Sequence, residues 1–357
     1  MIRFLFKRIV NGLLILWGVL TLLFFIFHAL PSDPARMLMG QRSDKASEDA
    51  IRKELGLDKP LMVQYAMYLN DISPLAFLQD DSEKAFFHHE DYGNTIKLIP
   101  FSGSSVVLKS PYLRRSYQSN LPVITVLKQA FPNTAILAVT AMIFAFAAGV
   151  FLGAVSAHYK GSWLDRTLMT VSVLGMSVPS FFAAVLIAWL FAFVLKDFTG
   201  LNMFGSFYEV DDLGRGEYIA WKNLILPAFT LAVRPLAVFI SLSRNSFLDV
   251  LASDYIRTAK AKGLSTRKIY WKHALKNALN PVLTSASAWF ATLLAGAVFV
   301  EFVFDWKGIG YLVVKSLETF DLPVLMGCLL LIALIFVIIN IVLDLSYRWL
   351  DPRVKLS

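Results

Sequence analysis

The sequence predicts an all-α protein that crosses a membrane about six times. Of its 357 residues, 57% are hydrophobic and 17% are charged, whereas soluble domains average roughly 45–50% apolar and 25% charged residues. Uncharged apolar runs recur along the chain, and several reach the length of about 20 residues that a helix needs to cross a bilayer. Backbone groups in lipid must be satisfied within the segment, so each run is predicted to be helical.

Six apolar runs are predicted to span the membrane. The first follows Arg3, Lys7 and Arg8 and lacks the short core and cleavage site of a signal peptide, so we expect a retained anchor. Prolines near the starts of later runs suit first turns, where a missing N–H is tolerated. The predicted spans are Ile9–Leu30, Pro132–Ala157, Leu168–Leu195, Leu224–Ser243, Pro281–Phe304 and Pro323–Tyr347.

Lysine and arginine are distributed unevenly between the spans, and the net charge is +8. The segment 249–280 is especially basic, which by the positive-inside rule predicts that it and both termini are cytoplasmic. The positive charges cluster at the ends of apolar runs, a pattern that favours a membrane surface over a nucleic acid. We expect an N-terminal end and first span at 1–30, an external loop region at 31–131, a five-helix core at 132–347 with the cytoplasmic loop 249–280, and a cytoplasmic tail at 348–357.

The external region 31–131 is predicted to contain two short helices, one over Glu48–Leu55 and one beginning near Pro60. The stretch Asp71–Ser110 shows no sustained period and is expected to lack regular structure. His88-His89-Glu90-Asp91 has metal-capable side chains, but no further ligands follow at a zinc-type spacing. A solvated loop, and no metal site, is therefore the preferred interpretation.

The basic loop within 249–280 is the most informative part of the chain. Ser253 and Ser265 are candidate helix N-caps, and Gly263 is a natural helix stop, so we expect two short helices that meet at a glycine with positive φ. Aromatic and aliphatic side chains are interspersed with the positive charges. That combination suits either docking to a partner protein or lying on anionic headgroups. The residues alone leave both interpretations open.

A resemblance to a known family favours docking. Arg257-Thr-Ala-x-x-x-Gly263 followed by His273-x-Leu275 resembles the "EAA" loop of ABC importer permeases, and Tyr255–Gly263 looks like the version in the first membrane subunit of dipeptide/oligopeptide permeases. Other similar segments are Pro31-Ser-Asp-Pro-Ala35, Glu54–Leu61, Pro122–Val126, Pro132-Asn-Thr134, Ser177–Phe181, Ala297–Glu301, Trp306–Gly310 and Asp351-Pro-Arg353. The sequence departs from the family at Lys276 and Lys307, where relatives usually have proline, and Asp71–Ser110 looks like an insertion.

The resemblance implies a type I ABC importer permease core that works by alternating access. Its expected partners are a second homologous permease subunit, two ATPase subunits, an external solute-binding protein and membrane lipid. The chain has no G-x-x-x-x-G-K-[ST] phosphate loop, so ATP and Mg²⁺ are expected in the ATPase subunits, and this chain is predicted to hold no cofactor and no catalytic site. The residues expected to couple to the ATPase are Tyr255, Ile256, Arg257, Thr258, Ala259, Lys260, Ala261, Lys262, Gly263, Leu264 and Leu275, with Ala259 facing the ATPase groove.

Five further residues are candidates for the translocation path. Arg234 lies inside a predicted span, where a charge is costly and points to function or to pairing within the bundle. Pro179 should kink the third span, with Ser177 and Ser180 able to satisfy the freed backbone groups. Glu301 has a gate-proximal or a structural role by resemblance.

Peptides are the expected cargo, and nickel complexes, glutathione and oligosaccharides are the alternatives. A membrane scaffold that only holds lipid is the rival function. A channel is weaker, because the sequence shows no motif of a selectivity filter.

Overall fold

The computed structural model describes residues 2–29, 57–79, 92–101, 104–211, 214 and 216–350, together with the single positions 45, 49, 52 and 53. The predicted helix Glu48–Leu55 and the stretch His88–Asp91 therefore lie largely or wholly outside the described residues. The chain divides into two compact units. The first contains Met1–Leu13, Ala130–Val314 and Ile332–Ser357, and the second contains Leu14–Gln129 and Lys315–Leu331.

Helices dominate the described residues, as the sequence predicts. In chain order they are α1 Ile2–Ala29, α2 Leu61–Ile72, α3 Val123–His158, α4 Trp163–Ser177, α5 Ser180–Ile187, α6 Lys196–Thr199, α7 Trp221–Leu251, α8 Asp254–Ala261, α9 Thr266–Lys268, α10 Leu275–Gly296, α11 Val298–Val303, α12 Ile309–Glu318 and α13 Leu322–Leu350. Two segments are π-helical: Ala188–Val194 continues α5, and Ile269–Ala274 connects α9 to α10.

Within the described residues, four helices are long and apolar enough to span a membrane: Leu5–Phe27, Val123–His158, Trp221–Leu251 and Leu322–Leu343. A fifth candidate is the bent pair of Trp163–Ser177 and Ser180–Val194. The fifth predicted span, Pro281–Phe304, is instead two helices, α10 and α11, which meet at Ala297.

Three of the four prolines that were expected in first turns lie deeper in their helices: Pro132 is inside α3, Pro227 inside α7 and Pro281 inside α10. The fourth, Pro323, is the second residue of α13, as expected. The other three helices begin before their apolar runs, and their first two turns include polar residues such as Lys128 and Asn277. Apolarity therefore marks the part of each helix that suits lipid, and not the point where the helix begins.

The second unit contains a small sheet that the sequence did not predict. Its strands are β1 Leu75–Gln79, β2 Ile96–Phe101 and β3 Ser104–Leu108. They form an antiparallel sheet with β3 in the middle. The expectation that Asp71–Ser110 lacks regular structure is thus wrong for its described residues. The predicted helix near Pro60 is confirmed as α2.

Asp71, at the end of α2, joins this sheet to its surroundings. Its carboxylate accepts hydrogen bonds from the Tyr92 hydroxyl at 2.7 Å and from the Arg114 Nε at 2.9 Å. The Lys109 ammonium donates to the Asp71 carbonyl oxygen. Burial lowers the pKa of Lys109 to about 8, despite the nearby Asp71 charge. These polar side chains therefore hold the second unit together through hydrogen bonds and an ion pair.

Small residues form much of the core of the first unit. Alanines from α3, α5, the π-helical segment and α7 are buried beside Phe239 and Trp306; they include Ala138, Ala141, Ala145, Ala184, Ala188 and Ala232. Small side chains let helix backbones approach closely, which is how helices pack within membranes. A two-stranded hairpin, β4 Tyr208–Val210 and β5 Glu217–Ile219, precedes α7.

The Gly149-x-x-x-Gly153 pair of α3 lies directly against α7. A Cβ atom on Gly153 would collide with the Ser243 side chain and lie 2.7 Å from the Ile240 carbonyl oxygen. A Cβ atom on Gly149 would collide with Phe239. The two glycines therefore allow a close contact between α3 and α7.

We predict that Gly153→Ala lowers the melting temperature of the detergent-purified chain by more than Gly18→Ala does. The α3–α7 contact has no room for a methyl group, and overpacking costs about 1–3 kcal/mol. Gly18 is the matched control, a helical glycine with no heavy atom within 4 Å of the Cβ position. Equal melting temperatures for the two variants would contradict the close contact.

Candidate functional site

The basic loop forms two short helical pieces that meet at a glycine. α8 ends at Ala261, and Gly263 has a φ of +74°, a left-handed conformation that side chains resist. The positive φ predicted for Gly263 is confirmed. Ser253 and Ser265 occupy the N-cap positions, but neither side chain makes a capping hydrogen bond. The second piece was expected to be a short helix that ends at about Asn277, but it continues through the π-helical segment into α10.

The inner side of this loop packs against its own chain. Ile256 is fully buried and Ala259 is 6% exposed, in one cluster with Phe247, Ile269 and Ala274. The expectation that Ala259 faces a partner's groove is wrong for this structure, and Ile256 is not available for docking either. The buried side of α8 packs against the rest of the chain through Ile256 and Ala259, and this packing holds the helix in position. Leu264 and Leu275 are half-buried against the same cluster.

The outer side of the loop is exposed and basic. We call this outer side of α8 and its glycine turn the loop face; its exposed residues are Tyr255, Arg257, Thr258, Lys260, Ala261, Lys262 and Gly263. The Tyr255 hydroxyl accepts a hydrogen bond from the Asn277 amide at 2.7 Å, which ties the loop face to α10. Arg257 pairs with Asp254 at 3.2 Å, but both side chains are exposed, so this pair contributes little stability.

A second basic group follows the glycine turn. Arg267, Lys268, Trp271 and Lys272 are all exposed, whereas Tyr270 between them is half-buried and stacks on Phe247 with ring centroids 6.0 Å apart. Burial raises the pKa of the Tyr270 hydroxyl. The loop thus has two basic surfaces, one on each side of Gly263.

A buried ion pair that the sequence analysis missed holds the helices next to this loop. Both nitrogens of the Arg244 fork reach the Asp165 carboxylate, Nε at 2.6 Å and Nη2 at 2.8 Å. The same carboxylate accepts hydrogen bonds from the Ser156 hydroxyl and the Gly161 N–H. Asp165 is 3% exposed. The sequence offered one signal for these two residues: Asp165 and Arg244 each lie close to the end of an apolar run, and the two runs are consecutive.

Four of the five candidate path residues lie at the junction of α4 and α5 or in α7, and the fifth, Glu301, lies in α11. The chain turns by 112° between α4 and α5, at Val178 and Pro179, so the break predicted at Pro179 is sharper than a kink. The Ser177 hydroxyl donates to the Val173 carbonyl oxygen at 2.9 Å, and Ser180 opens α5. Arg234 is exposed on α7 and forms no ion pair with any residue in the described ranges.

Glu301 is fully buried in α11, beside the turn that leads to α12. Its Oε2 accepts a hydrogen bond from the Tyr311 N–H at 3.1 Å, and a Cβ atom on Gly308 or Gly310 would meet this carboxylate. This enclosure favours the structural one of the two roles that the sequence left open. Among the described residues, no three His, Cys, Asp or Glu side chains come together to hold a metal ion.

The broken span, the small-residue helix contacts and the basic two-part loop together define a multi-pass membrane subunit of a transporter. Two family descriptions match the chain: "Binding-protein-dependent transport system inner membrane component" over residues 149–356, and its N-terminal counterpart over residues 1–81. The chain belongs to this family of inner membrane components.

Curated relatives align with almost the whole chain. It is 32% identical to the dipeptide transport system permease protein of Alkalihalophilus pseudofirmus, over 99% of this chain and 100% of the relative. It is 34% identical to the probable D,D-dipeptide transport system permease protein of Escherichia coli K12, over 96% of this chain and 94% of the relative. It is 33% identical to the glutathione transport system permease protein of Salmonella choleraesuis, over 99% of both chains.

A solved structure shares the fold. A chain from inward-facing structures of the MetNI methionine ABC transporter aligns with a TM-score of 0.51 and 16% identity, over 64% of this chain and 97% of that one. The fold is therefore that of an ABC importer permease, as the sequence resemblance implied.

We predict that Asp165→Asn destabilises the chain far more than Asp254→Asn does. The first change leaves the largely buried Arg244 without its carboxylate, and breaking a buried pair costs about 3–5 kcal/mol. The second breaks the exposed pair with Arg257, which is worth about 0–1 kcal/mol. Thermal unfolding in detergent compares the two, and equal shifts would contradict the role assigned to the buried pair.

Proposed function

We propose that this chain is one of two homologous membrane subunits that form the translocation path of an ATP-driven importer for short peptides. Support comes from the family and from relatives named for dipeptide, D,D-dipeptide and glutathione transport. Dipeptides and glutathione share peptide bonds and a free carboxylate, so one path chemistry serves both. Dipeptides are the first candidate cargo, and glutathione is the second.

The proposed complex contains a second homologous permease, two ATPase subunits that bind ATP and Mg²⁺, and an external solute-binding protein. Hydrolysis takes place in the ATPase subunits, and this chain is not an enzyme. The excess of Lys and Arg in the loop 249–280 supports an orientation with both termini in the cytoplasm. The loop face then points toward the ATPase subunits, and the sheet of β1–β3 lies on the external side, where a binding protein docks.

The exposed loop face is the observation that carries this proposal. Its positive charges and small residues can enter an acidic groove on an ATPase subunit, while Ile256 and Ala259 anchor its inner side to α7 and α10. A displacement of the loop would therefore be passed to two helices as a rigid movement. Of the residues that the sequence suggested for coupling to the ATPase, the exposed ones would form the docking surface. The buried ones would transmit a movement of that surface to α7 and α10.

Arg234 is the path residue that the structure supports best. An exposed charge on a membrane-spanning helix is costly in lipid, so it is expected to face water or a partner subunit. At the interface of two permease subunits it would meet the carboxylate of a peptide. Ser177, Pro179 and Ser180, at the 112° break, would line the same path with polar groups and unpaired backbone carbonyls.

We predict that Gly263→Val and Ala261→Asp each lower retention of the ATPase subunits on the purified complex by at least about tenfold. The first change strains a left-handed turn, and the second buries an unpaired carboxylate in the interface. Ala261 is exposed and suits this test, whereas a charge at the buried Ala259 would disrupt this chain's own core.

Lys268→Ala is the matched control for these two variants, since it removes an exposed charge beyond the glycine turn. It is expected to change ATPase retention by less than about twofold, as isolated surface charges usually do. All variants should insert in the membrane at the level of the unmodified chain. A lipid-holding scaffold predicts the opposite order, and full retention and uptake in both Gly263→Val and Ala261→Asp would refute coupling through the loop face.

A further inference from the structure

An open groove runs along the end of α3, beside the second basic surface. It has a volume of about 780 Å³. The α3 wall includes Phe146, Val150 and Phe151, and the opposite wall includes Tyr270 and Leu275. Its lining is mostly apolar, and its size is within the range of about 300–1,000 Å³ typical of small-molecule sites.

A second hollow of about 400 Å³ adjoins the groove and is lined by Ser265, Arg267, Lys268, Trp271 and Lys272. Arg267 and Trp271 line both hollows, so the two lie side by side. Its three charged side chains are all basic. None of them pairs with an acidic group in the part of the chain that the structure describes.

The position of the groove at the end of a membrane-spanning helix indicates which kind of ligand it binds. The groove lies at the end of α3, a helix apolar enough to span the bilayer, where acyl chains and headgroups are the surrounding medium. Tyr and Trp side chains prefer this interfacial level, and clustered Lys and Arg attract anionic headgroups. A ligand that fills both hollows needs an apolar chain on one end and a negative charge on the other.

We propose that this groove binds an anionic phospholipid of the surrounding bilayer. One acyl chain lies along α3 against Phe146, Val150 and Phe151, and the phosphate headgroup contacts Arg267, Lys268 and Lys272. Trp271 stands at the junction between the two parts. The leaflet follows from the proposed orientation and is the cytoplasmic one, whereas the site itself requires only that α3 spans the membrane.

The lining separates this site from the proposed docking surface. The described lining residues come from α3, α7, the segment 265–272 and the start of α10, and none comes from α8. The glycine turn at Gly263 divides the two surfaces. The same loop therefore contacts a protein on one side and the bilayer on the other, which combines the two interpretations that its composition allows.

Native mass spectrometry of the full-length chain in detergent tests this site without any partner protein. Phosphatidylglycerol and phosphatidylcholine with identical acyl chains are titrated separately. We expect about tenfold tighter binding of phosphatidylglycerol, because each basic residue near a headgroup adds attraction that salt only partly screens. The triple variant Arg267→Gln/Lys268→Gln/Lys272→Gln should lose this preference.

The matched control is Arg257→Gln/Lys260→Gln/Lys262→Gln, which removes the same charge from the loop face and should keep the preference for phosphatidylglycerol. Ala147→Trp is a second test, because Ala147 is exposed in the groove and a larger side chain would fill it. This variant should weaken binding of both lipids about equally.

Equal binding of the two lipids to the unmodified chain would overturn the proposal, and so would equal losses in the two triple variants. If a protein partner covers the groove instead, the triple variant at 267, 268 and 272 will keep its lipid preference and lose the ATPase subunits. Because the lipid measurement uses the isolated chain, its failure leaves coupling through the loop face untouched. Conversely, a failure of coupling leaves the lipid result standing.

Discussion

An ion pair with a buried carboxylate holds the helix that leads into the basic loop. Arg244 lies about two turns before the end of α7, and α8 begins three residues after that end. Its bidentate contact with Asp165 joins α7 to the first turn of α4. A bidentate pair of this kind constrains direction as well as distance. Any displacement of the loop would then move α4 and α7 together, and through α4 the break at Pro179.

The loop itself is organised by which of its sides is buried. Ile256 and Ala259 close the cluster that also contains Phe247, so α8 is part of the core and not an appendage. Its outer side remains free for a soluble partner, and the segment beyond Gly263 faces the apolar groove on α3. With the proposed protein contact on α8 and the proposed lipid contact beyond Gly263, the loop is suited to move as one rigid body during alternating access.

The membrane-spanning helices could be predicted from the sequence, because they depend on composition. The direction in which a side chain faces and the partner with which it pairs could not. Long apolar runs identified α1, α3, α7 and α13, because lipid imposes a length and an exclusion of charge. The size of Ala259 indicated a close contact, but not whether its own chain or a partner supplies it. Asp165 and Arg244 are 79 positions apart, and one sequence holds no signal that pairs them. The strands within 75–108 are short. In β2, Ile96 and Ile99 are apolar although they are exposed, so the sequence lacks the alternation of apolar and polar residues that identifies a half-buried strand.

The proposed role of this chain is that of a path-forming subunit in an ATP-driven peptide importer. The most direct measurement is ATPase activity of the complete complex in proteoliposomes, with its solute-binding protein and a panel of dipeptides, glutathione, nickel chelates and oligosaccharides. The account predicts that dipeptides stimulate hydrolysis, with glutathione as the second possible activator. Stimulation by nickel chelates or oligosaccharides alone would contradict the assignment of a peptide cargo. Hydrolysis that no cargo changes would contradict the transport function itself.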